Sequence, residues 1–546
     1  MSNFRNKSAR TDHFAMIPDA RIQRSSFKAS QRHLTTFDAG YLVPIYLDEV
    51  LPGDSHNLRH TIFARLATPI YPVMDNIYLD TFYFFVPKRL LWTNFKKFMG
   101  EQANPADSIS YTVPQQVSPV GGYAVGSLQD YLGLPTVGQL GGGNTKSHAA
   151  WWTRAYNFIF NEWFRDQNLQ NSLTFDTGDG PDASASTNYA LKRRGKRFDY
   201  FTSCLPWPQK GATGVTIPLA GTAPVKGLGL NGSSTTAASI AVRETTPLPN
   251  RTYSQAVLLN NTGGPTYMEV DSAGSSTTKP LVFADLTQSS GVLINTLRQS
   301  IMIQELLELD ARGGTRYIEM VRAHFGVTSP DGRLQRPEYL GGGSVPININ
   351  PIGQTSASGL TGGTSKLGDL AGVGTFVDHR NGFTQSFTEH GVILGLANIR
   401  CDLTYQQGLH RMWTRSTRYD HYFPAFAHLG EKAVRNDEIY CDGSANDILT
   451  FGYQEAWAEY RYKPNRITGL FKSTSSGTID PWHLAQKFTS LPALNDTFIQ
   501  DNPPLSRVIA VGASANGMQV IADCMFNVTM ARCMPVYSVP GISSHL

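Results

Sequence analysis

The stretch from His60 to Trp92, HTIFARLATPIYPVMDNIYLDTFYFFVPKRLLW, constrains the fold more than any other. Side chains of a strand point alternately to opposite faces. Over 60–68 this puts Ile62, Ala64 and Leu66 on one face and Phe63, Arg65 and Ala67 on the other. Pro69 and Pro72 break the run, because proline cannot donate to a ladder. A second strand follows over 76–86. It carries Ile77, Leu79, Tyr83 and Phe85 on one face and Tyr78, Phe82, Phe84 and Val86 on the other. Both faces are apolar, so this strand is expected to be covered on both sides, and later segments must supply the cover. Pro87 ends it, and 90–99 (LLWTNFKKFM) reads as a short helix.

Further strands are read at 42–47, 391–403, 451–462, 507–511, 519–523 and 526–531. The clearest helix spans 147–167, with Ser147 as N-cap and an aromatic stripe of Trp152, Tyr156, Ile159 and Trp163 expected to pack into a core. Two more helices are expected at 293–311, with Ile301, Leu306, Leu307 and Leu309 as core contacts, and at 315–325, capped by Thr315. The Gly-rich run 336–375 reads as a long loop of the kind that makes interfaces. Helices are few and show no alternation with strands. The fold class is mainly β: an antiparallel body with helical and loop insertions.

A chain of 546 residues buries most of its apolar surface without staples. Five scattered cysteines form no disulfide framework and fit a reducing compartment. The start lacks an apolar segment after its charges, so no secretory signal is expected, and no apolar run suits a membrane span. Net charge is only +4, but residues 1–34 hold seven basic residues against Asp12 and Asp19. They form a basic arm, in which Arg5, Lys7 and Arg10 are candidate nucleic-acid contacts; contact with a neighbouring subunit is the alternative. Between 211 and 290 the composition turns to Gly, Ser, Thr and Ala with sparse charge, which reads as a surface insertion. The body is then 35–210 with 291–546.

Two internal basic segments are further candidates. Lys192, Arg193, Arg194, Lys196 and Arg197 stand beside Phe198, Tyr200 and Phe201, and Arg411, Arg415 and Arg418 alternate with Trp413, Tyr419 and Tyr422. Cations for phosphate with aromatics for bases suit single-stranded nucleic acid. A solvated loop, a subunit contact or arginine–carboxylate pairing explains the same composition.

Catalytic motifs are mostly missing. There is no HExxH, P-loop or EF-hand. The GxGxxG at Gly227–Gly232 lacks the flanking strand and helix that a dinucleotide site needs. Gly512–Ser514 is an imperfect nucleophile elbow, with Asp523 and His545 in hydrolase order. Asp378-His379 and Glu389-His390 are the one thinkable metal grouping. No catalytic residue, cofactor or metal is assigned. A β-rich enzyme acting on polysaccharide is the alternative class, and it requires a carboxylate pair in a cleft.

Several long runs then carry a resemblance: LDTFYFFVPKRLLW (79–92), RPEYLGGG (336–343), PININPIGQTS (346–356), EHGVILGLANIRCDLTYQQGLHRMWTRSTRYD (389–420), FGYQEAWAEYRYKPNRITGLF (451–471), DNPP (501–504) and PVYSVPG (535–541). The chain resembles the major capsid proteins of the Microviridae, single-stranded DNA phages, and most closely the gokushovirus branch. The resemblance spans nearly all of the chain apart from about 211–290. It implies an eight-stranded jelly roll with large inserted loops, in a T=1 icosahedral shell around circular single-stranded DNA. By position, it also implies that 211–290 forms a protrusion at the threefold axes and contacts a host receptor. Implied partners are further copies of the chain, the genome, a small basic DNA-packaging protein, a minor pilot protein and a scaffolding protein. Implied locations are the virion and, during assembly, the cytoplasm of a bacterial host.

Overall fold

The computed structural model describes residues 23–182, 188–211, 294–314, 316–326, 335–355, 358–360, 363–365, 368–510 and 518–537, with short strands between 225 and 284. Eight strands make the body: β1 Ser25–Phe37, β2 Val43–Val50, β3 Ser55–Leu66, β4 Ile77–Pro87, β5 Glu338–Gly353, β6 Leu370–Ser386, β7 Gly391–Cys401 and β8 Val520–Arg532. Their order is β1-β8-β3-β6-β5-β4-β7-β2, and every pairing is antiparallel.

The order resolves into two four-stranded sheets. β5 pairs with β4 over Glu338–Ile347 and with β6 over Asn348–Gly353, so it turns the corner between them. Sheet one is β1-β8-β3-β6 and sheet two is β2-β7-β4-β5. Successive strands β1/β2 and β3/β4 fall in opposite sheets, which is the winding of a jelly roll. At the far edge His33 Nδ1 lies 3.0 Å from the Ile45 carbonyl oxygen, linking β1 to β2 and nearly closing the barrel.

Sequence alternation sets what each face buries. Ile62, Ala64 and Leu66 of β3 point inward with Ala522, Cys524 and Phe526 of β8, against Leu79, Tyr83 and Phe85 of β4 and Ile393 and Ile399 of β7. The opposite face of sheet two is also buried. Phe84 and Val86 of β4 and Val392, Leu394 and Leu396 of β7 pack under Trp92, Trp151, Ala155, Tyr156 and Ile159. Both faces of β4 are therefore covered, as its pattern requires, and each such side chain contributes roughly 1.5–3 kcal/mol on burial. The cover is helix α1, Trp151–Ile159, continued by a π turn at Phe160–Phe164.

A buried polar tie crosses the barrel. His60 of β3 lies 2.8 Å from Asp378 of β6 through Nε2 and 2.6 Å from the Tyr83 hydroxyl of β4 through Nδ1. Asn381 donates to the other Asp378 oxygen at 2.7 Å. A third core, around Tyr200, Phe201, Tyr405, Phe451 and Phe498, organises the loops between β7 and β8.

Several local expectations are corrected. The Gly-rich "loop" from 336 contains β5, because glycine is needed where the strand crosses its neighbours. A Cβ on Gly341 would stand 2.6 Å from the Gly382 carbonyl oxygen, and one on Gly342 would fall on the carbonyl of Thr81. Residues 25–34 of the expected arm are ladder, paired with β8 along the whole of β1; residues 1–22 lie outside the described residues. Ser147 is in a short strand paired with Gln115–Val117, and Ala150 takes the cap position of α1. The expected helix over 90–99 is two turns, Lys88–Leu91 and Phe95–Phe98. Of the strand expected over 507–511, Arg507 closes a 3-10 turn that begins at Leu505, Ile509 makes only an isolated bridge to Pro69, and 511 lies outside the described residues. Thr450–Glu455 is a strand, but Trp457, with φ of 68°, then turns the chain into a short helix at Ala458–Arg461.

The chain divides into two compact units: Met1–Pro208 with Asp310–Leu546, and Gln209–Leu309. Among the described residues of the second unit, Leu258–Asn261, Gly264–Val270 and Leu228–Asn231 form a three-stranded antiparallel sheet. Gly229 of the GxGxxG run lies within the strand Leu228–Asn231, and Gly227 and Gly232 lie outside the described residues. Helix α2, Ile294–Gly313, leaves Ile301, Leu306 and Leu309 exposed rather than in a core. Helix α3, Tyr317–Phe325, has Arg316 at its cap position; Thr315 lies outside the described residues.

Candidate nucleic-acid interface

Residues 192–197 run as an extended segment between Gly40–Leu42 and 499–501. Leu42 N donates to the Lys192 carbonyl (2.9 Å), Arg194 N to Gly40 (2.9 Å), Lys196 N to Ile499 (2.7 Å) and Asp501 N to Arg194 (2.7 Å). This ladder turns the basic side chains onto internal partners. Arg194 and Arg400 share Asp80 of β4, at 2.5 and 2.7 Å. Arg197 meets Asp402 at 2.9 Å and lies over Tyr78. Arg193 stacks 4.1 Å from the Tyr41 ring centre and donates to the carbonyls of Ala39 and Asp501. Lys196 is buried against Phe498, and burial pushes its ammonium down to about 8. Burial pushes the Asp501 carboxyl up to about 6, although Lys196, Arg400, Arg194 and Arg193 all oppose that rise. Lys192 is half-buried and, like Arg193 and Lys196, has no carboxylate ion-pair partner among the described residues.

The Arg411–Arg418 segment is also engaged. His410 caps a 3-10 turn at Arg411–Trp413, its Nδ1 accepting from Met412 N at 3.1 Å. Arg411 donates to the Ala433 carbonyl (2.7 Å) and pairs with Glu438 (3.1 Å). Arg415 pairs with Glu459 at 3.3 Å and covers the Tyr460 ring. Arg418 lies over Phe423, 5.3 Å from the ring centre. Asp420 turns back to cap Thr417, and those hydrogen bonds hold its carboxyl down at about 2. A cleft of about 520 Å³ opens beside Trp413, which is 70% exposed, with Tyr460, Lys463 and Arg466 on its wall.

Arg5, Lys7 and Arg10 lie outside the described residues, as do Ser514 and His545. Asp523 pairs with Arg32 at 2.6 Å. Asp378 is taken by His60, His379 by Thr61 at 2.8 Å and Glu389 by Arg89 at 2.7 Å. Among the described residues no group of three His, Cys, Asp or Glu side chains is placed to hold a metal, and no helix is long and apolar enough to cross a membrane.

Sequence reading missed a different basic surface. Lys28, Arg59 and Arg65 stand exposed on the outer face of sheet one, with no ion-pair partner among the described residues. The available signal was the polar half of the alternation in β3: Asn57, Arg59, Thr61 and Arg65 opposite Leu58, Ile62, Ala64 and Leu66.

A jelly roll wrapped in long insertions, whose charged side chains mostly brace those insertions, is an architecture that viral capsid proteins share with lectin domains and cupins. This chain belongs to the Capsid protein (F protein) family, whose model matches residues 15–542. It is similar to the protein named Capsid protein VP1 of Chlamydia phage 1, at 43% identity over 98% of both chains. Its likeness to that of Bdellovibrio phage phiMH2K is 44% over 97% of both, and to that of Spiroplasma virus 4 35% over 98% of both. The chain is a structural capsid protein of the gokushovirus group and not an enzyme; its place is the virion, where copies of it associate into the shell.

Proposed function

We propose that the shell this chain builds is a T=1 icosahedron enclosing circular single-stranded DNA, assembled in the cytoplasm of a bacterial host. The observation that carries this reading is the near full-length likeness to phage capsid proteins on a jelly-roll body. A small basic packaging protein, a pilot protein and a scaffolding protein are the proposed helpers, and the arm residues Arg5, Lys7 and Arg10 are proposed to add phosphate contacts. Imaging of particles purified from infected or expressing cells, with nuclease digestion before DNA extraction, tests it. Closed T=1 particles protecting single-stranded DNA are expected. Open sheets, another triangulation number or empty particles from infected cells would refute it.

Residues 211–290 are proposed to project at the threefold axes and to contact the host. Small polar residues with few large apolars offset little of the roughly 1–2 kcal/mol of backbone entropy per ordered residue. Such a segment gains most by packing against copies of itself, which a threefold axis brings together. Replacing 211–290 with a short Gly/Ser linker should leave assembly intact and abolish adsorption to cells. Insoluble chain would instead place the segment in the core, and normal adsorption would remove the receptor role.

A further inference from the structure

The two sheets of the barrel are treated unequally. Sheet two is roofed by α1 and its neighbours, whereas no described residue covers the outer face of sheet one. We propose that this face is the surface on which the shell holds single-stranded DNA, with Lys28, Arg59 and Arg65 as phosphate contacts and Phe63 as a stacking platform. The proposal rests on the reading that the shell encloses DNA and assigns the surface that does so.

The ladder register places the residues. Across β1, β8, β3 and β6 the outward rows read Thr36, Ile521, Arg65, Thr375; then Leu34, Asp523, Phe63, Val377; then Arg32, Met525, Thr61, His379; then Ser30, Asn527, Arg59, Gly382; then Lys28, Thr529, Asn57, Thr384. These rows hold four cations and a single carboxylate, Asp523. Arg32 already holds that carboxylate with two hydrogen bonds, at 2.9 and 2.6 Å. Lys28, Arg59 and Arg65 remain, all exposed and without carboxylate partners among the described residues. Rows are two residues apart, about 7 Å, so Arg59 and Arg65 stand roughly 20 Å apart along β3. That spread suits a backbone crossing the sheet, not a single anion. Phe63 is 51% exposed at the centre of the face, between Asp523 and Val377.

Charge decides the occupant. A second copy of the same face would bring like charge to like charge, and the one carboxylate is spent. A polyanion is the complement: Lys and Arg contact phosphate without reading sequence, and an exposed aromatic ring accepts any base. In the sequence, four more cations, Arg5, Lys7, Arg10 and Arg21, precede β1.

The test uses the full-length chain with K28Q/R59Q/R65Q and, separately, the charge-keeping K28R/R59K/R65K. Binding of labelled oligothymidylate to unassembled subunits is followed by fluorescence anisotropy over a range of NaCl, and nuclease-protected DNA per particle is measured after assembly. Each phosphate neutralised on a single strand contributes about 0.7 to the slope of log K against log salt. The Gln variant should therefore show a slope shallower by about 2, and its particles should form normally with less protected DNA. The charge-keeping variant should match the wild type in both. An unchanged slope in the Gln variant overturns the proposal. So does failure of that variant to assemble while the charge-keeping one succeeds, which would make the face a subunit contact. If wild-type particles protect DNA but the Gln variant loses none, only this assignment falls; if wild-type particles protect no DNA, the DNA-enclosing reading falls with it.

Discussion

Replacing Asp378 with Ala should cost about 4 kcal/mol, because it breaks a fully buried pair whose loss is of order 3–5 kcal/mol. Both side chains of the His60–Asp378 pair are at 0% exposure. Removing the carboxylate strands the His60 Nε2 and the Asn381 amide, each of which has its acceptor there. Phe526 and Tyr83 pack around the imidazole. Tyr83→Phe removes only the 2.6 Å partner of Nδ1, and the orphaned ring nitrogen should cost about 1–3 kcal/mol. Both changes act through one imidazole that joins β3 and β6 to β4. The double variant should therefore cost less than the sum of the two. The assay is urea unfolding of unassembled full-length subunits, followed by tryptophan fluorescence and far-ultraviolet circular dichroism, with midpoints compared at constant slope. Domains are stable by only about 5–15 kcal/mol, so the Ala variant should also give fewer soluble subunits. A loss under about 1 kcal/mol for Asp378→Ala would refute the reasoning, since the lower bound for an orphaned buried group is about that size. Strict additivity of the two substitutions would show that the network does not couple the sheets.

The Asp501 carboxyl has its folded pKa raised from 3.8 to about 6, so the native chain holds that proton more tightly than the unfolded one. Its contribution is complete below about 3.8 and is lost as pH rises to about 6; Asp501→Asn should remove this downward trend from urea midpoints measured between pH 4 and 6. Gly395→Ala would set a Cβ 2.8 Å from both Tyr46 Cβ and a Tyr83 ring carbon, and overpacking of this kind costs about 1–3 kcal/mol. Gly353→Ala, which meets nothing within 4 Å, should be near neutral in the same unfolding assay. Arg154→Lys should destabilise the roof of sheet two by about 3–5 kcal/mol, because the buried guanidinium pairs with Asp182 and also donates to the carbonyls of Leu91 and Gly178. An unchanged thermal midpoint in that variant would show that the roof does not depend on this pair.

How much could be read from sequence depended on whether local pattern and tertiary partner agreed. β3, β4 and β7 were legible because burial on one or both faces writes itself into alternation. β5 was not, since Gly341 and Gly342 serve contacts with residues of β6 and β4 that no window of sequence contains. β1 was missed for the opposite reason: it lies at the sheet edge, and only Phe37 of its thirteen residues is fully buried. The cations at 192–197 stood out by density, but density says nothing about Asp80, Asp402 or the buried carboxylate at 501. Arg59 and Arg65 are separated by six residues and form no cluster, so they became visible only once the register aligned them with Lys28 on one face.

A total charge of +4 thus hides two populations that the topology separates. A cation taken out of water needs a partner held in place, because an unpaired buried charge is far more costly than a paired one. Two segments that roof sheet two bring such pairs with them. Arg154 with Asp182 pins the segment after β4, and Arg194 and Arg400 with Asp80 pin the 192–197 segment onto β4. These pairs cannot be traded for phosphate without unroofing the sheet. Among the described residues nothing roofs sheet one, and of its four outward cations only Arg32 has a carboxylate partner, Asp523. A wall built this way has one side whose charge is committed to its own construction and one side where Lys28, Arg59 and Arg65 have no carboxylate partner among the described residues.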